Sequence, residues 1–190
     1  MAKAKPRERL LDTATALFNE RGVLAVGVNT VITEADVAPM TLYRQFGGKD
    51  ELVAATLELW SSRWLDSITR KLDQYDDPKV RYAGLWDALG EWFAEDDFRG
   101  SYVANAASEL RSEPGHRGHK VIAQHRQAIR DFLADIARDA GAEDPGKLAA
   151  QLLVLMDGAI ALATVDAASR GTAARDARVL ALAALDANAA

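Results

Sequence analysis

Thr41-Leu42-Tyr43-Arg44-Gln45-Phe46, followed by Gly47-Gly48-Lys49-Asp50-Glu51-Leu52, decides how the rest of this 190-residue chain is read. Leu42 and Phe46 are four residues apart, so a helix sets them on one face and leaves Met40, Thr41, Tyr43, Arg44 and Gln45 off it. Pro39 precedes them at a position where a helix has no use for its missing N–H. Gly47-Gly48 closes the segment. A long amphipathic helix is then expected over 49–73, with Leu52, Val53, Leu57, Trp60, Trp64 and Ile68 on its apolar face.

Upstream, Leu10, Leu11, Ala14, Leu17 and Phe18 recur at helical spacing after Pro6, and Gly22 supplies a stop. A second short helix is expected over 30–35, capped by Asn29 or Thr30. Asp36-Val37-Ala38 makes a tight turn, since Asp tolerates the left-handed conformation better than most residues. Val31, Ala35, Val37, Leu42 and Phe46 would then share a small core. Two short helices joined by such a turn form a helix-turn-helix.

Further helices are expected over 79–94, 101–111, 119–140, 146–169 and 172–187, each bounded by Gly, Pro or Asp clusters. The chain is therefore read as all-α. Apolar residues make up 49% and charged residues 27%, the composition of a globular domain and not of a disordered one. No cysteine is present, which excludes disulfides, a thiolate nucleophile and a cysteine zinc site. The amino terminus is polar and charged through Arg9 and lacks a secretory apolar core, so a cytoplasmic location is expected. The most hydrophobic window, 148–165, contains Gln151 and Asp157. A carboxylate at a bilayer centre costs about 2.5–3.5 kcal/mol, so a buried helix is expected here and no membrane span.

Catalytic patterns are missing. There is no Gly-rich phosphate loop and no Ser-centred elbow. His116, His119 and His125 lack the carboxylate spacing of a metal site, so no metal and no cofactor is expected. Asp76-Asp77 and Asp96-Asp97 read as solvated turns.

The net charge of −5 is unevenly spread. Residues 1–9 carry Lys3, Lys5, Arg7 and Arg9 against Glu8, and residues 1–52 balance at seven basic and seven acidic. The deficit lies wholly beyond them, with sixteen basic and twenty-one acidic residues. Such asymmetry marks a division of labour. On a helix in a major groove, Arg44 suits guanine, Gln45 adenine, and Thr41 a phosphate or a thymine methyl. Tyr43 can donate to phosphate, and Lys49 adds charge at a helix start. A helical hairpin with a mixed polar surface fits the periodicity equally.

The run from Ala35 to Phe46, with Lys49 and Leu52 and the upstream Leu11, Ala14, Leu17, Phe18 and Gly22, resembles the TetR family of one-component transcriptional regulators. The resemblance covers the first quarter to third of the chain. It implies that Thr41 and Tyr43 hold phosphates, that Lys49 anchors the fourth helix, and that Pro39, Met40 and Arg44 lie nearest the bases. The basic segment from Lys3 to Arg9 would add minor-groove or backbone contacts. Two departures stand out: Asp36 replaces the usual turn Gly, and the usual cap of the second helix falls at Gly27 or Val28. Asn29 or Thr30 must then cap that helix, and both join the DNA-facing set.

The same resemblance implies a carboxy-terminal helical bundle that holds a small effector and pairs two subunits. The last two helices would form the homodimer through Leu148, Leu152, Leu155, Met156, Ala159 and Ile160 on one and Val179, Leu182, Ala183 and Leu185 on the other. Completion of the monomer core is the competing use of those faces. The pocket candidates are Tyr82, Trp86, Leu89, Phe93, Tyr102, Asn105, His125 and Met156, an apolar and aromatic set with a few polar groups. Asp157 could meet ligand, bond across the dimer, or face water. The expected organisation is a three-helix DNA-binding domain over 1–50 and an effector-binding and dimerisation domain over 51–190. The expected function is a regulator, not an enzyme, acting as a repressor that a small molecule releases from a palindromic double-stranded operator. The alternative is a helical small-molecule-binding or dimerisation protein that has lost specific DNA binding.

Overall fold

The computed structural model describes residues 5–188, so Lys3 of the basic segment lies outside the described residues. Among those residues there are nine α-helices and no strand: α1 (Pro6–Arg21), α2 (Val28–Glu34), α3 (Pro39–Phe46), α4 (Lys49–Leu72), α5 (Pro78–Phe93), α6 (Tyr102–Glu109), α7 (Gly118–Asp139), α8 (Pro145–Val165) and α9 (Ala173–Asp186). The all-α reading holds, with Pro at the first turn of α1, α3, α5 and α8.

Two boundaries differ from expectation. The second helix starts at Val28 with Gly27 as its N-cap, so neither Asn29 nor Thr30 caps it; both lie in its first turn. Gly27 holds an extended ψ of 155° and offers no side-chain bond, and a Gly cap costs only a few tenths of a kcal/mol against a polar one. The eighth helix stops at Val165 because Asp166 turns extended. The Asp166 carboxylate accepts from Ala168 N–H and the Ser169 hydroxyl, which starts a short 3-10 turn at Ala167–Gly171. Those bonds hold its pKa below the usual carboxylate value, the Ser169 bond first.

The chain divides into two compact units, 1–63 with 101–125 and 64–100 with 126–190, so α4 and α7 each contribute to both. The unit that carries the helix-turn-helix is thus larger than residues 1–50. Its core joins Leu10, Ala14 and Phe18 of α1 to Val31, Leu42, Leu52 and Leu57, and on to Tyr102, Ala106 and Leu110. The Tyr102 hydroxyl meets Thr56 Oγ1 at 2.8 Å inside this core. Burial, foremost, raises the Tyr102 pKa, because the apolar interior disfavours the phenolate.

In the second unit α5 packs on α9, and the Tyr82 hydroxyl donates to the Ala181 carbonyl at 2.6 Å. Burial and then the nearby Asp186 raise the Tyr82 pKa and keep it a donor. Trp64, Trp92, Phe93 and Phe98 form a chain of ring contacts with centroids 5.1 to 5.7 Å apart. The Arg170 guanidinium lies 5.3 Å over the Phe98 ring. Asp157 is committed to a two-pronged ion pair with Arg126, at 2.9 and 2.8 Å, a use the sequence did not suggest. That bond is the leading cause of the raised Arg126 pKa.

The 21-residue α8 is long and apolar enough to cross a membrane, and 39% of its most apolar window is buried. The phase of its faces differs from expectation. Leu148, Leu152, Met156 and Ala159, and Leu185 on α9, complete this unit's own core. The large apolar side chains exposed on these helices are Val154, Leu162 and Val165 on α8 and Val179 and Leu180 on α9. A helix that is apolar nearly all round gives periodicity no phase to report.

Gly22 ends α1 with φ 92°, and a Cβ there would meet the Glu109 carboxylate oxygens at 2.8 and 2.9 Å. Gly22→Ala therefore combines backbone strain with displacement of that carboxylate. We expect a loss of about 1–3 kcal/mol, read from urea unfolding of the pure protein. Tyr82→Phe removes one buried hydrogen bond and should cost about 1 kcal/mol by the same measurement.

Candidate nucleic-acid interface

Leu42 is fully buried and Phe46 nearly so, which sets the phase of α3. Pro39, Arg44 and Gln45 are exposed, Met40 is 73% and Tyr43 47% exposed, and Thr41 is half-buried at the edge. Asn29 and Thr30 are exposed on the first turn of α2. The sequence-predicted DNA-facing residues are thus on the surface of one unit. Gly47 then closes α3 at φ 86°, with its N–H donating to the Tyr43 carbonyl at 2.9 Å, and α4 begins at Lys49.

The basic arm is put to a use that sequence reasoning missed. Arg9 donates through Nη2 to the main-chain carbonyl of Asp36, the turn residue held at φ 50°. The Arg7 guanidinium lies 5.0 Å over the ring of Phe46. Asp36 just precedes α3 and Phe46 ends it, so α1 contacts the chain at both ends of α3. The separation of 27 residues from Arg9 to Asp36 leaves no periodic signal. Asp50 and Glu51 follow Lys49 directly, and each has a partner. Asp50 stands 3.5 Å from His116 Nε2, and Glu51 is 3.1 Å from Arg117.

Adding residues 101–125 also changes the charge count. The unit containing the helix-turn-helix holds eleven basic and ten acidic residues, and the other holds twelve and eighteen. The division by compact unit is sharper than the division by sequence position.

Lys49 Nζ donates to the Leu24 carbonyl at 3.2 Å. An ammonium carries three donors, so this bond engages one of the three.

The pocket candidates fall in different units. Tyr102, Asn105 and His125 belong to the first, and Tyr82, Trp86, Leu89, Phe93 and Met156 to the second. His125 is buried, with Nδ1 2.7 Å from the Ser61 hydroxyl and its ring edge-on to Trp60. In the second unit Tyr82, Trp86, Leu89 and Phe93 are all buried, and the Trp86 indole N–H has no hydrogen-bond partner among the described residues. His116 Nδ1 accepts from Gly118 N–H, and His119 bonds the Glu113 carbonyl. Among the described residues no three His, Asp or Glu side chains are grouped to hold a metal ion.

If Arg9 holds the turn, Arg9→Ala should destabilise the protein by about 1.5 kcal/mol through loss of a charged donor to Asp36 O. Thermal unfolding followed by circular dichroism measures this. A change within error would show the contact to be idle.

The profile described as "Bacterial regulatory proteins, tetR family" matches residues 10–56, the span from α1 into α4. Over nearly the whole chain the fold superposes on a TetR-family transcriptional regulator from Streptomyces coelicolor, with a TM-score of 0.87 and 26% identity, covering 97% of this chain and 96% of that one. A putative TetR transcriptional regulator from Streptomyces avermitilis gives a TM-score of 0.84 at 30% identity, covering 96% and 99%. The HTH-type transcriptional regulator BetI of Brucella anthropi is 30% identical over 79 residues, a match that spans 42% of this chain and 41% of that regulator. With the outward polar edge of α3 in place and 30% identity sustained over the full length of one relative, the chain belongs to the TetR family of transcriptional regulators.

Proposed function

We propose that this regulator is a ligand-responsive repressor that leaves a palindromic operator when a small molecule binds. The observation that carries the reading is the phase of α3, whose apolar residues point in and whose Met40, Tyr43, Arg44 and Gln45 point out. Residues 1–50 form the DNA-binding part and 51–190 the effector and dimerisation part. Thr41, Tyr43 and Lys49 hold phosphates, Pro39, Met40, Arg44 and Gln45 lie at the bases, and Asn29 and Thr30 flank them. A regulator that reads an operator works in the cytoplasm, and no catalytic step belongs to this reading.

Two subunits pair through α8 and α9. Supporting this is a groove of about 270 Å³ between these helices, lined by Val154, Gly158, Leu162, Ala173, Ala177 and Leu180. Apolar surface of that kind is stabilised by a self-complementary partner about a two-fold axis. Two recognition helices one DNA turn apart, roughly 34–36 Å, then match a palindrome. For the effector, the Trp86 N–H, which has no partner among the described residues, and the buried Tyr82, Leu89 and Phe93 of the same helix support an apolar molecule that presents a hydrogen-bond acceptor. Its binding shifts the population of subunit spacings by its differential affinity for them.

Selection of duplexes from a random pool with the purified protein, followed by gel shifts, tests the reading. We expect a palindromic sequence, uniform loss of affinity on Tyr43→Ala or Lys49→Ala, and about 1–3 kcal/mol of lost base discrimination on Arg44→Ala. Binding that ignores all three changes would instead favour a protein that no longer reads DNA. Sedimentation of Leu180→Glu tests the pairing, with a shift from dimer to monomer expected.

A further inference from the structure

We propose that Glu109 is a positioning residue for the Lys49 phosphate contact and acts through the backbone of Leu24. The inference rests on the DNA-binding role of Lys49 given above and adds a residue remote in sequence from the helix-turn-helix. Leu24 lies between α1 and α2, in a segment flanked by Gly22 and Gly27. Its side chain is 46% exposed, so burial does not hold it. Its main chain is bonded at both ends instead. Leu24 N–H donates to Glu109 Oε2 at 3.0 Å, and the Leu24 carbonyl accepts from Lys49 Nζ at 3.2 Å.

Glu109 is the last residue of α6, where a carboxylate opposes the negative end of the helix dipole. That placement is offset where a donor meets the carboxylate, and the Leu24 N–H does so. Gly22 leaves the space the carboxylate occupies, since a Cβ there would lie 2.8 Å from Glu109 Oε2. Glu109 thus fixes residue 24, and residue 24 presents the acceptor on which one Lys49 donor rests. A lysine side chain otherwise loses considerable rotamer freedom when it docks on a phosphate. Anchoring one of its three donors beforehand reduces that loss, and the other two remain for the DNA.

The test compares the wild type with Glu109→Ala, Glu109→Gln, Lys49→Ala and the double variant Glu109→Ala/Lys49→Ala. Each full-length protein is titrated with the selected operator duplex at several salt concentrations, and its folding is checked by thermal unfolding. Glu109→Ala should weaken operator binding by about tenfold and lower the slope of log affinity against log salt by about one, as Lys49→Ala does. In the double variant the loss should equal that of Lys49→Ala alone. Glu109→Gln keeps an oxygen acceptor at the same reach and should restore wild-type affinity and slope. If Glu109→Ala does not fold, Glu109→Asp, one methylene short of Leu24, should give the same slope change in a folded protein. Wild-type affinity in Glu109→Ala, or losses that add to those of Lys49→Ala with the slope untouched, overturns the proposal. If the wild type binds no duplex and Lys49→Ala is equally silent, the DNA-binding role fails and this proposal with it.

Discussion

Burial of Leu42 and Phe46 is the constraint on which the rest depends. With two side chains four residues apart driven into the core, α3 has one permitted rotation about its axis, and its polar residues have nowhere to go but outward. The core they enter is not local. It reaches from α1 through α2 and α4 to Tyr102 and Leu110, so the recognition helix is held by residues from both parts of a discontinuous unit.

That discontinuity also explains the charge. Asp50 and Glu51 set two negative charges in the first turn of α4, next to Lys49. His116 and Arg117, at the approach to α7, stand against them. An exposed pair such as Arg117 with Glu51 contributes little to stability. Its effect is on the local potential, because the Arg117 guanidinium places a counter-charge beside the Glu51 carboxylate in the first turn of α4.

Much of this was legible in the sequence, and the limits have physical causes. The ends of α1 and α3 were marked by Pro6, Gly22, Pro39 and Gly47, and the positive φ of Asp36 by its residue type. The start of α2 was misplaced because an N-cap was sought among polar side chains, whereas Gly27 needs none. The faces of α8 were misphased because apolar residues surround it, and only packing against α9 chooses which are covered. Arg9 to Asp36, Glu109 to Leu24 and Arg126 to Asp157 span 27, 85 and 31 residues, and no period or spacing encodes them. The pocket candidates were chosen by composition, which cannot see that they belong to two separate units.

The stacking of Arg7 on Phe46 has a bearing on how any binding defect should be understood. A guanidinium seated on a ring is held over a few ångströms, well inside the screening distance of about 8 Å at physiological ionic strength. Salt that screens longer-range charge interactions leaves its grip on the helix end largely intact. Any electrostatic contribution of this cation and the shape of the end of α3 therefore draw on one side chain. A weakened complex after loss of that cation has two separable origins, and the melting behaviour of the unbound protein tells them apart.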